Sequence, residues 1–352
     1  MNILAIETSC DETSVAVVED GSKLHSLVVN SQIDIHKAFG GVVPEVAARS
    51  HIEVILPAVQ QALDEAKMGW DDIDAIAVTQ GPGLLGSLLI GVLTARTLAW
   101  SKQKPLYAVH HILGHIYANW ITDGPEYKTP YPTTQPEFPV LALIVSGGHT
   151  QLMFGTNHTE WRVIGRTTDD AVGEAFDKVA KVLGLPYPGG PSVAQAADNG
   201  NPDAYALPTP KVSEEYGFSF SGLKTALLRA VQAECGVGHD FPSFELAGRL
   251  SDAQVADFAA SFQKTAINYL VSKTRLAFEN LSPKTVIIGG GVAASLPLRE
   301  VLSHEIPIEI EYAPQILCTD NAAMIGARAY YQSKHQAPDD PFTLETQPSW
   351  PL

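Results

Sequence analysis

Cysteine is scarce in this sequence, and its scarcity limits the folds and compartments open to the chain. The 352 residues include three cysteines, Cys10, Cys235 and Cys318, which lie far apart and form no Cys-x-x-Cys pair. An odd number at this spacing argues against a disulfide framework and against a zinc knuckle, and it is typical of a reducing compartment. We therefore expect a cytoplasmic protein.

Basic residues are few as well. The sequence contains 23 Lys and Arg against 39 Asp and Glu, which gives a formal net charge of −16. A general nucleic-acid-binding protein needs a basic surface for its phosphate contacts, so this composition does not favour that class. Two alternatives stay open for the second half of the chain, namely a local basic patch or scattered, solvated charges.

Long apolar runs are absent. The most apolar segment, Leu84 to Trp100, contains Arg96 and is too short to cross a bilayer. The N-terminal segment has no basic region and reaches an acidic residue at Glu7, so we expect no signal peptide. The sequence predicts no membrane partner.

What is present is a duplicated pattern of strands, turns and helices. "ILAIETSCDETSVAVV" and "VLALIVSGGHTQLMF" each consist of a buried strand, a polar turn and a second strand, with Leu141 in the position of Leu4. "DAIAVTQGPGLLGSLL" and "TVIIGGGVAASLPL" are each a strand, a glycine turn and a helix start, with Val286 in the position of Ile76. The second pair is further apart than the first, which predicts an insertion of about seventy residues in the second half.

The two halves predict two lobes that face each other across a cleft. Strong amphipathic helices are predicted over Val43–Lys67 and Asp252–Asn280, and strands alternate with helices in both halves. This pattern resembles the actin-like ATPase and sugar-kinase superfamily, a duplicated α/β fold in which ligands bind at the carboxyl ends of the strands. We predict a first lobe over 1–122, a proline-rich connector over 123–139, a second lobe over 140–335 with a largely helical insertion at 186–249, and a C-terminal tail over 336–352.

Two histidines in "HHILGH" are candidate metal ligands. On a helix, His111 and His115 share one face, so that both imidazoles can reach the same ion. Asp320 in "CTDNAAMIG" is the best candidate for a third ligand, although it could instead cap the helix that follows it. Two imidazoles and one carboxylate form an open set that suits Fe²⁺ or Zn²⁺. We expect His110 to orient or pack, and His149 either to be a fourth contact or to hydrogen-bond locally.

Two glycine turns are candidate anion sites. Ser146–His149 and Gly289–Gly291 each follow a strand, and glycines let backbone amides approach an anion closely. Neither turn contains the Lys-Ser/Thr of a P-loop. Each turn is therefore either a phosphate cradle or simply a tight connection between elements.

Eight motifs follow one another along the chain: "IETSCDET", "GGVVPEVAARSH", "GPGLLGSLLIG", "HHILGH", "LIVSGGHTQL", "GEAFDKVAKVLGLPYPGGP", "FSFSGLKTALL" and "CTDNAAMIG". Together they resemble the TsaD family, whose archaeal and eukaryotic relatives are the catalytic subunits of the KEOPS complex. The resemblance implies an actin-like fold and a bound divalent metal, most simply Fe²⁺, with Zn²⁺ as the alternative. It also implies an acyltransferase that moves the threonylcarbamoyl group of threonylcarbamoyl-AMP onto the exocyclic amine of the adenosine 3′ of the anticodon, in tRNAs reading codons that begin with adenine. The partners it implies are tRNA, a paralogous actin-like subunit of the TsaB type and a small ATPase of the TsaE type.

Carried over by motif, the resemblance assigns roles to particular residues. It implies metal binding by His111, His115 and Asp320, and a catalytic role for Asp11. The residues for which it implies substrate binding are Ile144, Val145, Ser146, Gly147, Gly148, Asp177, Gly190 and Ser295.

At three of these positions the sequence also allows a different interpretation or departs from the family pattern. Asp177 could instead pair with Lys181 one helical turn away, and Gly190 could be an ordinary turn residue. Ser295 departs from the family pattern, which usually has Asn there, and the shorter side chain removes one amide donor.

Two other function classes compete with the transferase. A metal-dependent glycoprotease of the zincin type needs Glu directly after the first histidine, and this chain has Ile112 there. A non-catalytic actin-like subunit is the second alternative, but such subunits tend to lose the metal residues that this chain keeps.

Overall fold

Two β-sheets of similar construction organise the chain. The computed structural model describes residues 1–352. The first sheet has the strand order β3-β2-β1-β4-β5 and the second has the order β8-β7-β6-β9. The strands are β1 (Asn2–Glu7), β2 (Glu12–Glu19), β3 (Lys23–Ser31), β4 (Ala75–Gly81), β5 (Leu106–His110), β6 (Val140–Val145), β7 (Thr150–Gly155), β8 (Trp161–Arg166) and β9 (Thr285–Gly289).

Helices connect the strands and cover the sheets. They are α1 (Ile33–Lys37), α2 (Pro44–Ala66), α3 (Leu85–Lys102), α4 (His111–Tyr117), α5 (Val172–Leu183), α6 (Gly189–Ala197), α7 (Ser221–Glu234), α8 (Asp252–Leu281), α9 (Leu296–Glu305) and α10 (Ala322–Ser333). The long helices α2 and α8 match the two predicted from periodicity. A capping box begins α8, in which Ser251 and Gln254 exchange side-chain and backbone hydrogen bonds. No helix combines the length and the apolar character that crossing a bilayer demands.

The strand registers confirm the duplication. Leu4 of β1 lies opposite Ile76 of the parallel strand β4. Leu141 of β6 lies opposite Val286 of the parallel strand β9. The sequence repeat equates Leu4 with Leu141 and Ile76 with Val286, so these two register pairs occupy equivalent places in the two sheets. Both halves therefore begin with the same antiparallel hairpin and the same parallel crossover. The second sheet has no counterpart of β5.

The insertion is less helical than predicted. Between 186 and 249 the helices are α6 and α7, with one short 3₁₀ turn at Ser243–Glu245, and the remainder has no regular structure. Its loops are held by side chains instead. For example, Asp169 accepts hydrogen bonds from the backbone amides of Phe220 and Ser221 at the start of α7.

The connector at 123–139 has neither helix nor strand, and it is held in place by hydrogen bonds to a residue outside it. Glu311 accepts hydrogen bonds from the backbone amides of Thr133 and Thr134, at 2.9 Å and 3.1 Å. A proline-rich chain supplies few amides of its own for secondary structure, so this carboxylate takes the place of a regular partner.

A shared core joins the two sheets. One cluster of buried side chains lies under the first sheet and another lies in the second lobe, but a third contains residues of both sheets together with α4 and α10. The helix α10 belongs to the predicted second lobe, yet it packs on β1 and β2 of the first sheet. The lobe boundaries drawn from the sequence stay a prediction. They assign α10 to the second lobe, whereas α10 packs against strands of the first.

Replacing Gly290 should destabilise the fold at the turn after β9. Gly290 has a φ of +91°, and a Cβ there would lie 2.4 Å from the carbonyl oxygen of Val145. We expect Gly290→Ala to lower the free energy of unfolding by at least about 1–2 kcal/mol, from the backbone conformation alone. The measurement is urea unfolding followed by circular dichroism. Gly291→Ala is the control, since no atom lies within 4 Å of its added Cβ; equal losses in both variants would contradict the explanation.

Candidate functional site

Three predicted ligand side chains converge where α4 and the start of α10 meet. The ring centroids of His111 and His115 are 4.6 Å apart on one face of α4. The Nε2 atoms of His111 and His115 lie 3.5 Å and 3.1 Å from Oδ1 of Asp320. One ligand atom from each of the three side chains falls within 4.8 Å of the others. The arrangement is compatible with one bound metal ion.

Small residues on two sides make this convergence possible. A Cβ on Gly114, which lies between the two histidines, would be 2.8 Å from Cδ1 of Ile325 and 3.3 Å from Cγ of Met324. On the other side, a Cβ on Gly289 would be 2.7 Å from the carbonyl oxygen of His115. The helix α4 is therefore packed closely between α10 and the end of β9.

Asp320 does not cap α10, so that alternative is wrong. The N-cap is Asn321, whose side-chain oxygen accepts a hydrogen bond from the amide of Met324 at 3.0 Å. Because its neighbour satisfies the helix terminus, the carboxylate of Asp320 is free to point at the histidines. Burial alone would raise the pKa of Asp320, but the charge of His111 and the contact with His115 outweigh it and hold that pKa below its usual range.

Glu7 orients the first histidine, and the sequence analysis missed it. Its Oε2 lies 3.2 Å from Nδ1 of His111, and the same carboxylate accepts hydrogen bonds from the Ser9 amide and the Thr79 hydroxyl. With a proton on Nδ1, His111 directs Nε2 towards Asp320, which is the usual carboxylate–histidine arrangement behind a metal ligand. A charged residue closing the buried strand "ILAIE" was the available signal.

The donor set fits a cation on two observations besides distance. Nδ1 of His115 is buried without a hydrogen-bond partner, and the polar group beside its Nε2 is the Asp320 carboxylate, at 3.1 Å, in a contact that lacks hydrogen-bond geometry. Negative charge also accumulates here. Burial opposes protonation of His111, yet Asp320 and Glu7 together raise the pKa of His111 to about 9.

Two acidic residues of the β1–β2 turn add to this charge. Asp11 is buried, with 8% of its surface exposed. Burial, together with the charges of Asp320 and Asp11, raises the pKa of the adjacent Glu12 to about 9. Burial and the charge of Asp11 also raise the pKa of Tyr187, which lies in the loop after α5. Asp11 thus lies close to groups of both lobes, and Glu12 and Tyr187 were not singled out from the sequence.

The predicted substrate strand divides into two parts with different exposure. Ile144 and Val145 are fully buried in β6, where their side chains enter two different cores. Their side chains are therefore closed to a substrate, and the predicted role of Ile144 and Val145 stays a prediction that concerns their backbone atoms. Gly147 and Gly148 are exposed at the β6–β7 turn, their amides make no hydrogen bond within the protein, and an added Cβ would meet no atom within 4 Å.

Ser146 links this turn to neighbouring elements. Its hydroxyl accepts a hydrogen bond from the amide of His149 at 3.1 Å, and its carbonyl accepts from the amide of Gly173 in α5. The bonds between Ser146 and His149 use the backbone of His149, so the choice between a local hydrogen bond and a fourth metal contact for its imidazole stays a prediction. Burial and the positive charges of His111 and His115 lower the pKa of His149 to about 4.

The second glycine turn is explained mainly by packing. The Cβ contacts described above, at Gly289 and Gly290, show that both glycines are required by close approach of α4 and of the end of β6. Only Gly291 is open. The phosphate-cradle interpretation therefore has support at the first turn and little at the second.

Asp177 and Gly190 lie together at the α5–α6 junction. Asp177 Oδ1 accepts a hydrogen bond from the amide of Gly189 at 2.7 Å and forms no ion pair with Lys181, so the helix-surface alternative is wrong. Burial raises the pKa of Asp177, and this hydrogen bond partly opposes the shift. Gly190 occupies the first turn of α6, its amide is unpaired, and an added Cβ would meet no atom within 4 Å.

Ser295 and His110 both begin helices. The hydroxyl of Ser295 accepts from the amide of Leu298 at the start of α9, so this side chain already has a structural role. Nδ1 of His110 accepts from the amide of Ile112 and caps α4, which fits the orienting role expected of it.

Removing one of the three converging side chains should abolish metal binding. We expect His111→Ala and Asp320→Ala to purify without stoichiometric metal while keeping the circular-dichroism spectrum, because two remaining ligands hold an ion poorly. Elemental analysis of the purified variants measures this. His149→Ala is the control and should retain metal; unchanged metal content in the first two variants would refute the ligand set.

The same fold occurs in solved structures of distant sequence. Full-length HypF in its phosphate- and nucleotide-bound form superposes with a TM-score of 0.58 at 13% identity, over 95% of this chain and 55% of that one. The (R)-2-hydroxyglutaryl-CoA dehydratase component A of Acidaminococcus fermentans gives 0.50 at 15% identity, over 95% and 99% of the two chains. These similarities, with the duplicated sheets, confirm the predicted actin-like fold and carry no information on activity.

Sequence relatives identify the family. A family model described as TsaD, tRNA N6-adenosine threonylcarbamoyltransferase, matches residues 23–327. A protein of that name from Thermomicrobium roseum is 48% identical over 94% of this chain and 92% of its own length. Another, from Moorella thermoacetica, is 45% identical over 100% and 97% of the two chains. The chain therefore belongs to the TsaD family of tRNA N6-adenosine threonylcarbamoyltransferases.

Proposed function

We propose that this chain transfers the threonylcarbamoyl group of threonylcarbamoyl-AMP to the exocyclic amine of the adenosine 3′ of the anticodon, in tRNAs reading codons that begin with adenine. The observation that carries the proposal is the convergence of His111, His115 and Asp320 between two lobes, in a chain of this family. We place the protein in the cytoplasm with its tRNA substrate.

The proposed reaction exchanges one bond for another at the carbamoyl carbon. The exocyclic nitrogen of adenosine forms a bond to that carbon, and the bond from the carbon to the phosphate oxygen breaks. AMP leaves with the electron pair, and the amine loses one proton. Negative charge develops on the carbonyl oxygen and on the departing phosphate, so a useful site must offer positive charge or amide donors to both.

The chain offers donors for this charge on both sides of the cleft. The unpaired backbone amides of Gly147, Gly148 and Gly190 are the candidate hydrogen-bond donors to threonylcarbamoyl-AMP, and no Cβ blocks its approach to them. A divalent ion, Fe²⁺ or alternatively Zn²⁺, held by the three converging side chains would supply a positive charge for the phosphate and the carbonyl oxygen. Holding the amine next to the carbamoyl carbon would supply much of the remaining acceleration.

The other assigned residues shape the site. Asp11 is the candidate catalytic carboxylate, since it is buried at the β1–β2 turn close to the acidic centre. Asp177 positions the first turn of α6 through Gly189 rather than by a helix-surface ion pair. Ser295 retains a hydroxyl proton to donate while its oxygen caps α9.

The two competing functions have less support. A zincin-type protease needs a carboxylate next to its first histidine, and the residue there, Ile112, is a buried aliphatic side chain with 2% of its surface exposed. A non-catalytic subunit would not need an orienting carboxylate behind His111, which Glu7 provides here.

Nucleoside mass spectrometry tests the proposal directly. Unmodified tRNA is incubated with this protein, its partner subunits, the enzyme that forms the adenylate, ATP, threonine and bicarbonate. We expect threonylcarbamoyladenosine in the digested tRNA, and none when the Asp320→Ala variant replaces the wild type. The same tRNA with its target adenosine changed to guanosine is the substrate control. Absence of the product with a competent partner set would refute the proposal.

The substrate tRNA is large and the chain is acidic, which favours help from partners. Some basic side chains of the second lobe are neutralised by acidic neighbours, since Lys178 and Lys224 both pair with Asp170, and Lys264 pairs with Asp203. The formal net charge of −16 opposes phosphate binding by the chain as a whole. We therefore include the paralogous actin-like subunit and the small ATPase in the proposal.

An exposed apolar surface on α2 and α3 is the proposed docking site for the paralogous subunit. The two helices pack side by side, and five large apolar side chains on them are 42–61% exposed: Ile52, Leu56, Leu85, Leu89 and Leu93. Spacings of four residues place them as stripes along each helix. A paralogue of the same fold would present an equivalent pair of helices, so the two pairs could pack as a four-helix layer.

A charge placed within this surface should prevent assembly. We expect Leu89→Asp to abolish the complex with the paralogous subunit in sedimentation velocity, because an unpaired carboxylate would be buried in the interface. Phe244→Asp is the control, since Phe244 is 69% exposed in the insertion, away from these helices. A complex of unchanged mass with Leu89→Asp would contradict the assignment, as would loss of a homodimer rather than of the mixed complex.

A further inference from the structure

The C-terminal residues lie on the first lobe and end beside the candidate metal centre. We call residues 339–350 the C-terminal strap. It lies beyond residue 327, where the match to the family model ends. It begins against β5, where the backbone amide of Asp339 donates to the carbonyl of Leu106 and its side chain accepts from the amide of Ala108. Arg96 of α3 then donates to the carbonyls of Pro341 and Phe342.

Backbone hydrogen bonds join the strap to the end of β4 and to the glycine turn that follows it. The amide of Gln347 donates to the carbonyl of Gln80 at 2.8 Å, and the amide of Gly83 donates to the carbonyl of Pro348 at 3.2 Å. A Cβ on Gly81 would lie 1.8 Å from the carbonyl oxygen of Gln347. Any side chain at this position would displace the strap, so the turn and the strap form one packed unit.

The strap ends on His110, directly before the first metal-ligand candidate. Nε2 of His110 lies 2.9 Å from the carbonyl oxygen of Trp350, and the two rings are 4.8 Å apart. Since Nδ1 of His110 accepts from the amide of Ile112, the ring proton sits on Nε2 and is donated to Trp350. One imidazole thus connects the strap to the first turn of α4.

A second route connects the strap to the same histidine. The turn whose Gly83 amide donates to Pro348 also donates from the amide of Leu84 to the carbonyl of Ser9, at 2.8 Å. The hydroxyl of Ser9 lies 3.1 Å from Nδ1 of His111. The strap therefore supports His111 both through the helix cap and through the residue that contacts its ring.

From these contacts we propose that the strap is a positioning element of the metal centre, acting through the His110–Trp350 hydrogen bond. This inference rests on the proposed metal site and adds a residue pair to it. By holding the N-cap of α4, the strap fixes the orientation of the helix that carries His111 and His115. Loss of the strap should loosen the ligands while the buried core of the lobe remains intact. Outer contacts of this kind typically change metal affinity by 10–100-fold when removed.

Two changes remove the same contact from opposite sides. Truncation after Pro348 deletes Trp350, and the new terminal carboxylate of Pro348 can still accept from the amide of Gly83. His110→Asn keeps a side-chain oxygen that can cap α4, since Asn is a preferred N-cap, but it is too short to reach Trp350. Deletion of Leu352 alone, which is exposed, is the matched control. Each protein is tested without metal for its circular dichroism and its thermal midpoint, and then for Zn²⁺ affinity by competition with a chromophoric chelator.

We expect each change to weaken Zn²⁺ binding by about tenfold, and the double variant to be no weaker than the single ones, because both remove one interaction. The metal-free thermal midpoints should stay close to that of the wild type, and deletion of Leu352 should change nothing. Wild-type affinity in either variant overturns the proposal, as does a double variant whose loss is the product of the two single losses. If the truncated protein fails to fold, His110→Asn decides alone. A wild-type protein that binds no Zn²⁺ overturns the metal site itself, a distinct result.

Discussion

The close packing of α4 against α10 is the constraint on which the rest of the site depends. Gly114 removes the side chain that would keep the two helices apart, since a Cβ there would be 2.8 Å from Ile325. Because the helices touch, the carboxylate of Asp320, two residues before α10, lies within 3.5 Å of both histidines of α4. The site therefore does not belong to one lobe. It exists only when the duplicated halves share a core.

Bringing these groups together concentrates negative charge in a poorly solvated place. Glu7 and Asp320 both approach His111, and Asp11 and Glu12 lie nearby. Asp320 and Glu7 raise the pKa of His111 against the effect of burial, whereas burial first, and then the charges of Asp320 and Asp11, raise the pKa of Glu12. A divalent cation would neutralise this negative charge more effectively than a proton and would also take one ring nitrogen of His115 as a ligand. The electrostatics and the donor set therefore favour the same ligand.

The sequence predicted the elements that local patterns control and missed those that depend on tertiary contacts. The repeat equated Leu4 with Leu141 and Ile76 with Val286, and the strand registers agree, because strand hydrophobicity and glycine turns are local signals. Periodicity could not show that α10 crosses to the first sheet. Nor could it show which face of β6 is open, since a strand buried on both faces has no alternation to read. Glu7 was missed for a similar reason, because its partner His111 is distant in the chain.

Some glycines of the cleft are required by packing, and others are not. Gly289 and Gly290 are required by packing, since a Cβ at either would collide with backbone oxygens of His115 or Val145. At Gly147 and Gly148 an added Cβ would meet nothing in the protein, and neither has a positive φ, so the fold alone would accept other residues. Their amides are also unpaired. Folding therefore does not require glycine at these two positions, and their free amides lie at the mouth of the cleft. A ligand that must approach the backbone closely best explains why glycine is present there.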